Sequence, residues 1–340
     1  IITASFYAIL ALGGSLAAES KNRMAAVALA NEKMEALRNL GYGDIGVIGG
    51  IPAGNIPETE NVLRGSKNYE VKTLIRYVND PFDGLDDDPV KEDYKETKIT
   101  ISWVGIRGAI SEFSLMGRFS PSGVEQMTSG GLLSINIMGS DGIGVPQASV
   151  HIVNNIVSPS VDISAKTNDA GNLIFPGAPQ STESYYITVS KDGYETVETI
   201  DRASVTYIPT DNPATVVEGE MNVKSIVQNK LANLSFLAKN MTEEPLSEAA
   251  FSLEGGRILG YDMLASPADP VYSINSEYQT EINGRKIFEG VSPGEFFIAG
   301  IVPPSSHTFV GTEVSGGYKF NDGRYNFIAT PEEKKDISLK

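Results

Sequence analysis

Side chains suited to acid–base or nucleophilic chemistry are scarce in this chain of 340 residues. It has two histidines, His151 and His307, and no cysteine. His151 lies in a strand-like run and His307 in a Pro-Pro-Ser-Ser-His loop, and no motif beside either one supplies a nucleophile or a metal ligand. Phosphate loops and dinucleotide-binding fingerprints are also missing from the sequence. We therefore expect both histidines to be structural, and we expect a protein that is not an enzyme and has no cofactor.

An acidic stretch offers a different chemistry, the binding of a hard cation. Asp83, Asp86, Asp87 and Asp88 flank Gly84 and carry the carboxylate oxygens that Ca²⁺ prefers. The spacing is not that of an EF-hand, which favours a solvated acidic loop. A Ca²⁺ site at these four residues is kept as a second hypothesis.

The charge balance of the whole chain excludes one class of partner. The formal net charge is -16. Nucleic-acid binding needs a basic surface that replaces the counterions of the phosphates. Nucleic acid is therefore not an expected partner.

The N-terminal segment predicts one long helix with two different halves. Residues 1–18 contain no charged side chain, and residues 19–40 are amphipathic and end before Gly41 and Gly43. Eighteen residues are the lower limit for a membrane span, whereas a helix of about 40 residues is some 60 Å long, twice the thickness of the bilayer core. The second half must therefore pack on something outside the lipid.

Several residues of this helix are expected to pack. Met24, Val27, Met34 and Leu37 recur at spacings of three, seven and three, which predicts a single apolar stripe. Gly13 and Gly14 weaken the helix and permit bending or the close approach of another helix. The full set of predicted packing residues is Ile2, Phe6, Ile9, Leu10, Gly13, Gly14, Leu16, Met24, Val27, Met34 and Leu37.

After this helix the sequence predicts β structure. Residues 44–66 are rich in Gly, Pro and Asn and are predicted to form a connecting loop. Alternating apolar residues predict strands over 69–78, 98–104 and 109–119, which form a small antiparallel sheet that the helix covers on one face. Residues 120–131 change in composition and are predicted to be a linker.

The rest of the chain contains an internal repeat. Leu133-Ser134-Ile135 recurs as Leu234-Ser235-Phe236 at an offset of 101 residues, and Ile174-Phe175-Pro176-Gly177 is echoed by Ile287-Phe288-Glu289-Gly290. Each unit has about a hundred residues of short alternating strands between turn residues. This pattern predicts two β-sandwiches in tandem, as in a stalk or a display module.

The first 120 residues resemble the type IV pilins and pseudopilins. The resemblance is carried by the segment from Met24 to Tyr42 after an apolar run, and by Asp80-Pro81-Phe82-Asp83-Gly84 followed by Ile101-Ser102-Trp103, which is similar to the head of minor pilins. It implies a helix that anchors the precursor in the inner membrane and then packs in a filament core. The family's processing site and N-terminal glutamate are absent, so we expect that residues precede Ile1.

The repeats resemble carboxypeptidase regulatory-like and collagen-adhesin B-type domains. The resemblance is carried by residues 144–150, 167–175 and 187–194 of the first repeat, and it implies immunoglobulin-like sandwiches used as spacers or binding modules. Some adhesin domains of this type form a Lys–Asn isopeptide crosslink, for which Lys239 and Asn326 are the candidates here. The predicted fold is thus an α+β pilin domain with two all-β sandwiches. Its predicted parts are a helix over 1–41, a pilin head over 42–127, and sandwiches over 128–228 and 229–340.

Taken together, these features predict a structural subunit of an extracellular type IV pilus-like filament. Its expected partners are identical subunits, the inner membrane before assembly, the pilus assembly machinery, and a surface or glycan target bound by the outward β domains. Two alternatives share the helix: a permanently membrane-anchored cell-surface adhesin, and a pseudopilin of a secretion system. An exported enzyme that uses the sandwiches as accessories would need a catalytic domain that this sequence does not reveal.

Overall fold

The computed structural model describes residues 2–78, 94–105, 108–121, 130–264, 268–304, 307–319 and 324–340, with helical side chains described from residue 12 onward. Helix α1 spans Ile2–Arg38, and a short 3-10 turn follows over Tyr42–Asp44. Strong helix formers such as Ala, Leu, Met, Glu and Lys dominate α1 up to its end. The helix ends shortly before Gly41, as its turn signal predicts.

The helix is followed by one antiparallel sheet in which sequential strands are neighbours. Its strands are β1 (Thr59–Arg64), β2 (Lys67–Val78), β3 (Tyr94–Val104) and β4 (Ile110–Phe119). The three predicted strands are present as β2, β3 and β4. Strand β1 lies in the segment 44–66 that was predicted to be a loop, so that prediction was wrong for residues 59–64. Strand β1 lies at the sheet edge, has mostly polar side chains, and is stabilised by its backbone pairing with β2. A strand of this kind has no alternation of apolar residues by which the sequence could predict it.

The first repeat forms two sheets that face each other. Their strands are β5 (Gly131–Met138), β6 (Ser149–Asn154), β7 (Val161–Lys166), β8 (Asn172–Ala178), β9 (Ser181–Ser190), β10 (Val197–Glu198), β12 (Ala214–Val216) and β13 (Met221–Val227). One sheet contains β10-β9-β6-β7 with β12 beside β9, and the other contains β13-β5-β8. Strand β11 (Ile208–Pro209) lies in this part of the chain but in neither of the two sheets. Strand β13 runs parallel to β5, and the other pairs within these two sheets are antiparallel. The predicted sandwich is therefore present.

The second repeat has the same two-layer arrangement. Its strands are β14 (Ala232–Ala238), β15 (Ala250–Asp262), β16 (Asp269–Gln279), β17 (Arg285–Val291), β18 (Gly294–Val302), β19 (Thr312–Val314), β20 (Tyr318–Lys319), β21 (Tyr325–Ala329) and β22 (Lys334–Leu339). One sheet has the order β11-β15-β18-β21-β20 with β16 beside β15, and the other has the order β17-β14-β22-β19. Strand β22 runs parallel to β14, as β13 does to β5.

The repeat extends to single hydrogen bonds. The Oγ1 atom of Thr167 donates to the carbonyl of Val145 and accepts from the amide of Ala148. In the second repeat, Oγ1 of Thr280 donates to Leu246 and accepts from Ala249. Both threonines are buried, and each hydroxyl satisfies one backbone amide and one backbone carbonyl.

Three separate clusters of buried apolar side chains accompany these parts. One joins α1 to the first sheet, one fills the first sandwich, and one fills the second sandwich. The three cores fall within the predicted ranges 42–127 (with the helix), 128–228 and 229–340, except that Ile51 packs in the core of the first sandwich. The boundaries themselves stay a proposal.

The first sheet and the first sandwich touch through the segment before β1. Besides Ile51, the amide of Ser164 donates to the carbonyl of Gly49 over 2.9 Å. Lys166 pairs with Glu58 at 3.0 Å. The segment 49–58 therefore joins the two parts through both apolar and polar contacts.

The two sandwiches are joined by the guanidinium of Arg257, whose side chain is 15% exposed. Arg257 in β15 donates to Glu195 at 3.0 Å and to Asp211 at 2.8 Å, and both acids belong to the first sandwich. The short strand β11 also pairs with β15 of the second sandwich. A charged group held by two carboxylates and by shared backbone pairing fixes the angle between the sandwiches more firmly than a flexible linker would.

Candidate functional site

The C-terminal half of α1 is attached to the sheet by an apolar face. Ala26, Leu29, Ala30, Met34 and Leu37 are all buried. They pack against inward side chains of the sheet, which are Tyr69, Val71, Ile75, Ile99, Ile101 and Trp103. The helix is thus a fixed part of this domain from about its middle onward.

Close approach of helix and sheet depends on a glycine in β4. A Cβ atom placed on Gly117 would lie 2.7 Å from the sulfur of Met34 and 2.9 Å from its terminal methyl group. Met34 is itself buried, so it has little room to move aside. A bare backbone at position 117 lets the Met34 side chain lie flat on the strand.

Of the predicted apolar stripe, Met34 and Leu37 lie on the buried face of the helix and Met24 does not. The Met24 side chain is 64% exposed, and Val27 is half-buried. At 3.6 residues per turn, Met24 lies about 140° around the helix from Leu37. The buried face is made instead by small residues and Leu29, which lie on the same side as Leu37. A role for Met24 and Val27 in packing against another subunit stays a prediction.

A polar cluster holds the helix where it begins to leave the sheet. Oε1 of Glu19 accepts from Nε1 of Trp103 at 3.1 Å and from the hydroxyl of Ser111 at 3.2 Å. The Tyr69 hydroxyl donates to the carbonyl of Asn22 at 3.1 Å. Burial, and secondly the charge of Glu19, raise the pKa of Tyr69, so this hydroxyl keeps its proton and its role as donor.

The meeting of Glu19 with Trp103 and Ser111 was not predicted from the sequence. Strand pairing places Trp103 opposite Ser111, so both can reach one carboxylate. The available signals were that Glu19 is the first acidic residue after eighteen uncharged ones and that Trp103 is the only tryptophan in the chain. Nothing in the spacing of the sequence connects two residues that are 84 positions apart.

Toward its N-terminus the helix leaves its own domain. Leu12 is 49% exposed and Leu16 is 64% exposed. Apart from the helix's own backbone, no atom of the described residues lies within 4 Å of a Cβ placed on Gly13 or Gly14, although α1 continues through both. The predicted packing residues Ile2, Phe6, Ile9 and Leu10 lie in the helical part whose side chains are not described.

Membrane insertion was a second expectation for this segment. Within the described residues, no helix reaches the combined length and apolarity that crossing a bilayer requires.

The candidate Ca²⁺ ligands Asp83, Asp86, Asp87 and Asp88 lie outside the described residues. In the part of the chain that the structure does describe, no group of three or more His, Asp or Glu side chains could hold a metal ion. The acidic-loop hypothesis therefore stays a prediction.

The remaining candidate residues are not brought together into a reactive site. Nε2 of His151 contacts Oδ1 of Asp162 at 2.8 Å across β6 and β7, and both side chains are exposed. Lys239 donates to Glu243, and Nδ2 of Asn326 donates to Glu295 at 2.7 Å, so the two predicted crosslink partners bond to different carboxylates.

One buried cation near the helix was also missed. Nζ of Lys95 donates to the carbonyls of Tyr42 and Ile45, at 2.8 Å each, and lies 4.6 Å from the centre of the Tyr42 ring. Lys95 thereby ties the turn after α1 to strand β3. The available signal for this contact was the position of Lys95 on the side of strand β3 that faces the helix.

Comparison with known proteins gives no family assignment. No family model matches the chain, and no curated protein matches its sequence. Among solved structures, a streptococcal ancillary pilin is 13% identical with a TM-score of 0.26, over 79% of this chain and 92% of the pilin. The minor pilin GBS52 of Streptococcus agalactiae is 13% identical with a TM-score of 0.24, over 62% of this chain and 95% of GBS52.

A third similar structure is the Bacillus anthracis TIE protein, which is 12% identical with a TM-score of 0.24. The match covers 83% of this chain but only 56% of the TIE protein. Similarities with TM-scores of 0.24 to 0.26 carry no argument about this chain. The functional proposal below therefore depends on the helix and the β domains themselves.

Proposed function

We propose that this chain is a structural subunit of an extracellular filament of the type IV pilin class. The supporting observation is the division of α1, whose C-terminal half is fixed to the sheet while Leu12 and Leu16 lie exposed on an uncharged N-terminal half. Exposure of large apolar side chains on a helix to water costs free energy, and their burial against an identical helix is favourable. The resemblance of residues 24–42 to the first helix of type IV pilins supports the same proposal.

The energy available for assembly comes from apolar burial. Full burial of one leucine contributes about 1.5–3 kcal/mol, and part of this remains to be gained at Leu12 and Leu16. In a filament every subunit gains such contacts with several neighbours. Gly13 and Gly14, whose Cβ positions meet none of the described residues, would allow a neighbouring helix to approach closely.

The β domains would form the outer surface of the filament. The two sandwiches lie after the sheet along the chain and are coupled through Arg257, which favours a stiff projecting module. The net charge of -16 favours solubility of such a surface. The displayed domains would adhere to a surface or a glycan. The four aspartates of the acidic loop at 83–88 would bind Ca²⁺.

The proposal includes an inner-membrane stage before assembly, which depends on the uncharged run 1–18 and on the family resemblance alone. A membrane-anchored adhesin and a secretion-system pseudopilin remain the alternatives. The adhesin would stay in the membrane, whereas the pseudopilin would form only a short assembly. Detached filaments of many subunits are expected from the leading proposal only.

The experiment that tests the proposal compares charged variants on cells. Leu16→Asp should abolish surface filaments seen by electron microscopy, because a carboxylate would be buried in the helical core. Leu63→Asp is the matched control, since Leu63 is 68% exposed and lies on strand β1. Filaments that persist in Leu16→Asp, or that are lost equally in both variants, would count against assembly through the helix.

A further inference from the structure

The second sandwich contains a cavity that the filament proposal does not use. Its volume is about 280 Å³, and it lies where β14 and β22 end, between the loops that follow Ala238 and precede β19. The opposite end of β14 adjoins the first sandwich, since the amide of Leu231 donates to the carbonyl of Gly193. The cavity, called the end cavity below, is therefore at the end of the second sandwich that faces away from the first.

The body of the end cavity is apolar. Leu246, Ala249, Ile301 and Phe309 supply its walls, and they continue the buried core of the second sandwich. Its volume is close to the lower limit of about 300 Å³ that is usual for small-molecule sites. The cavity can therefore take an apolar chain or ring and remove it from water.

The charged side chains that line the cavity are all basic, although the chain as a whole is acidic. Lys239 and Lys340 line it, and their side chains are only 13% and 23% exposed. None of its described lining residues is acidic. Each ammonium group is already held by a carboxylate from outside the lining, Lys239 by Glu243 and Lys340 by Glu313 at 2.7 Å, so this rim is a place where carboxylates bind.

A carboxylate from outside the lining already reaches both lysines. Glu243 pairs with Lys239 through one oxygen and lies 3.7 Å from Nζ of Lys340 through the other. Glu243 is on an exposed loop, and its side chain is 61% exposed. Its carboxylate shows that an anion can be held between the two ammonium groups.

The first sandwich lacks these features at the equivalent place. At the repeat offset of 101, Lys239 corresponds to Met138, and the parallel pairing places Val227 where the second repeat has Lys340. The end of the first sandwich is closed by Tyr194 and the fully buried Gln228. The end cavity and its lysines are therefore specific to the second repeat and are not a general consequence of the fold.

We propose that the end cavity binds an amphiphilic monocarboxylate, such as a medium-chain fatty acid. The apolar chain lies between Leu246, Ile301 and Phe309. The carboxylate lies at Lys239 and Lys340, where it displaces Glu243. This binding is independent of filament assembly and gives the displayed domain a ligand.

Titration calorimetry of the full chain with decanoate, decanol and decylamine tests the proposal. Decanoate should bind to one saturable site, at least about tenfold more tightly than either analogue, because a charge-assisted hydrogen bond contributes more than a neutral one. Lys239→Met should weaken decanoate binding about tenfold and leave decanol binding unchanged. Lys335→Met is the matched control, since Lys335 is also 13% exposed but pairs with Glu333 away from the cavity.

Two further variants locate the site and test the role of Glu243. Glu243→Gln should bind decanoate several-fold more tightly, because the competing carboxylate is gone. Val310→Trp places a large ring at an exposed position of the cavity lining and should abolish saturable binding without altering the melting temperature. Equal affinity for the three ligands, decanoate binding that survives Val310→Trp, or no saturable binding at all would overturn the proposal. The last result would be expected if a protein segment fills the cavity.

Discussion

Trp103 donates its indole hydrogen to Glu19 across 3.1 Å, and this bond marks the point at which α1 separates from its own sheet. C-terminal to Glu19 the helix has a buried face made by this chain. N-terminal to it the described side chains are largely exposed. The division of the helix into a fixed half and an uncovered half is the basis of the functional account, and the following predictions test it and the β domains that it carries.

Removal of the Glu19 carboxylate should loosen the exit of the helix. Glu19→Ala leaves the Trp103 indole and the Ser111 hydroxyl without their acceptor, at a cost of about 1–3 kcal/mol in the free energy of unfolding. Trp103 is the only tryptophan, so its emission reports this position directly. We expect a lower urea midpoint and a shifted emission maximum. Glu32→Ala, which removes an exposed pair with Arg64, should change stability by less than about 1 kcal/mol.

The contact between Gly117 and Met34 predicts a compensating pair of substitutions. Gly117→Val should destabilise the helix–sheet domain by about 1–3 kcal/mol, because its side chain competes with Met34 for the same space. Adding Met34→Ala should recover part of that loss, although Met34→Ala alone leaves a cavity and is destabilising. A double-mutant cycle in urea measures the coupling. Strict additivity of the two changes would contradict the proposed contact.

The equivalent threonines predict equal and independent effects in the two sandwiches. Thr167→Val and Thr280→Val each leave a buried amide and a buried carbonyl without partners, at a cost of about 1–3 kcal/mol. The serine variants keep the hydroxyl and should lose less. Calorimetry of both single variants and the double variant should show additive losses. A stability loss confined to one repeat would mean that the hydroxyl bonds do not have the same role.

Buried Tyr185 predicts an alkaline decline in the stability of the first sandwich. Burial raises the pKa of Tyr185 from 10.0 to about 12, with a smaller opposing effect from Asn154. The unfolded chain therefore releases this proton first as the pH rises. The stabilising contribution is fully present below pH 10 and is lost as the pH rises toward 12. Urea unfolding across this interval should show a smaller decline in Tyr185→Phe, and an identical decline would contradict the assignment.

Local patterns in the sequence predicted most of the architecture. The glycines after residue 40 marked the end of the helix, and alternation marked β2, β3 and β4. The repeat was visible because Leu133 and Leu234 occupy the same place, and the structure pairs them with Phe175 and Phe288 respectively. These features depend on neighbours in sequence, so a single chain reveals them.

Features that depend on distant contacts were not predictable. Met24 satisfies an apolar spacing pattern but lies on the exposed side, because the side of the helix that meets the sheet is decided by Ala26 and Ala30. Strand β1 is stabilised by its pairing with β2 and not by apolar alternation. The threonine pair was hidden because insertions lengthen the repeat offset between residues 145 and 167.

A filament reconstruction at side-chain resolution, from material sheared off cells that express this chain, tests the central claim most directly. The account predicts an axial core of N-terminal helices in which Leu12 and Leu16 of each subunit contact the helices of neighbouring subunits, with both sandwiches on the outside. Single copies held in membrane fragments, or filaments in which Leu12 and Leu16 face solvent, would contradict it.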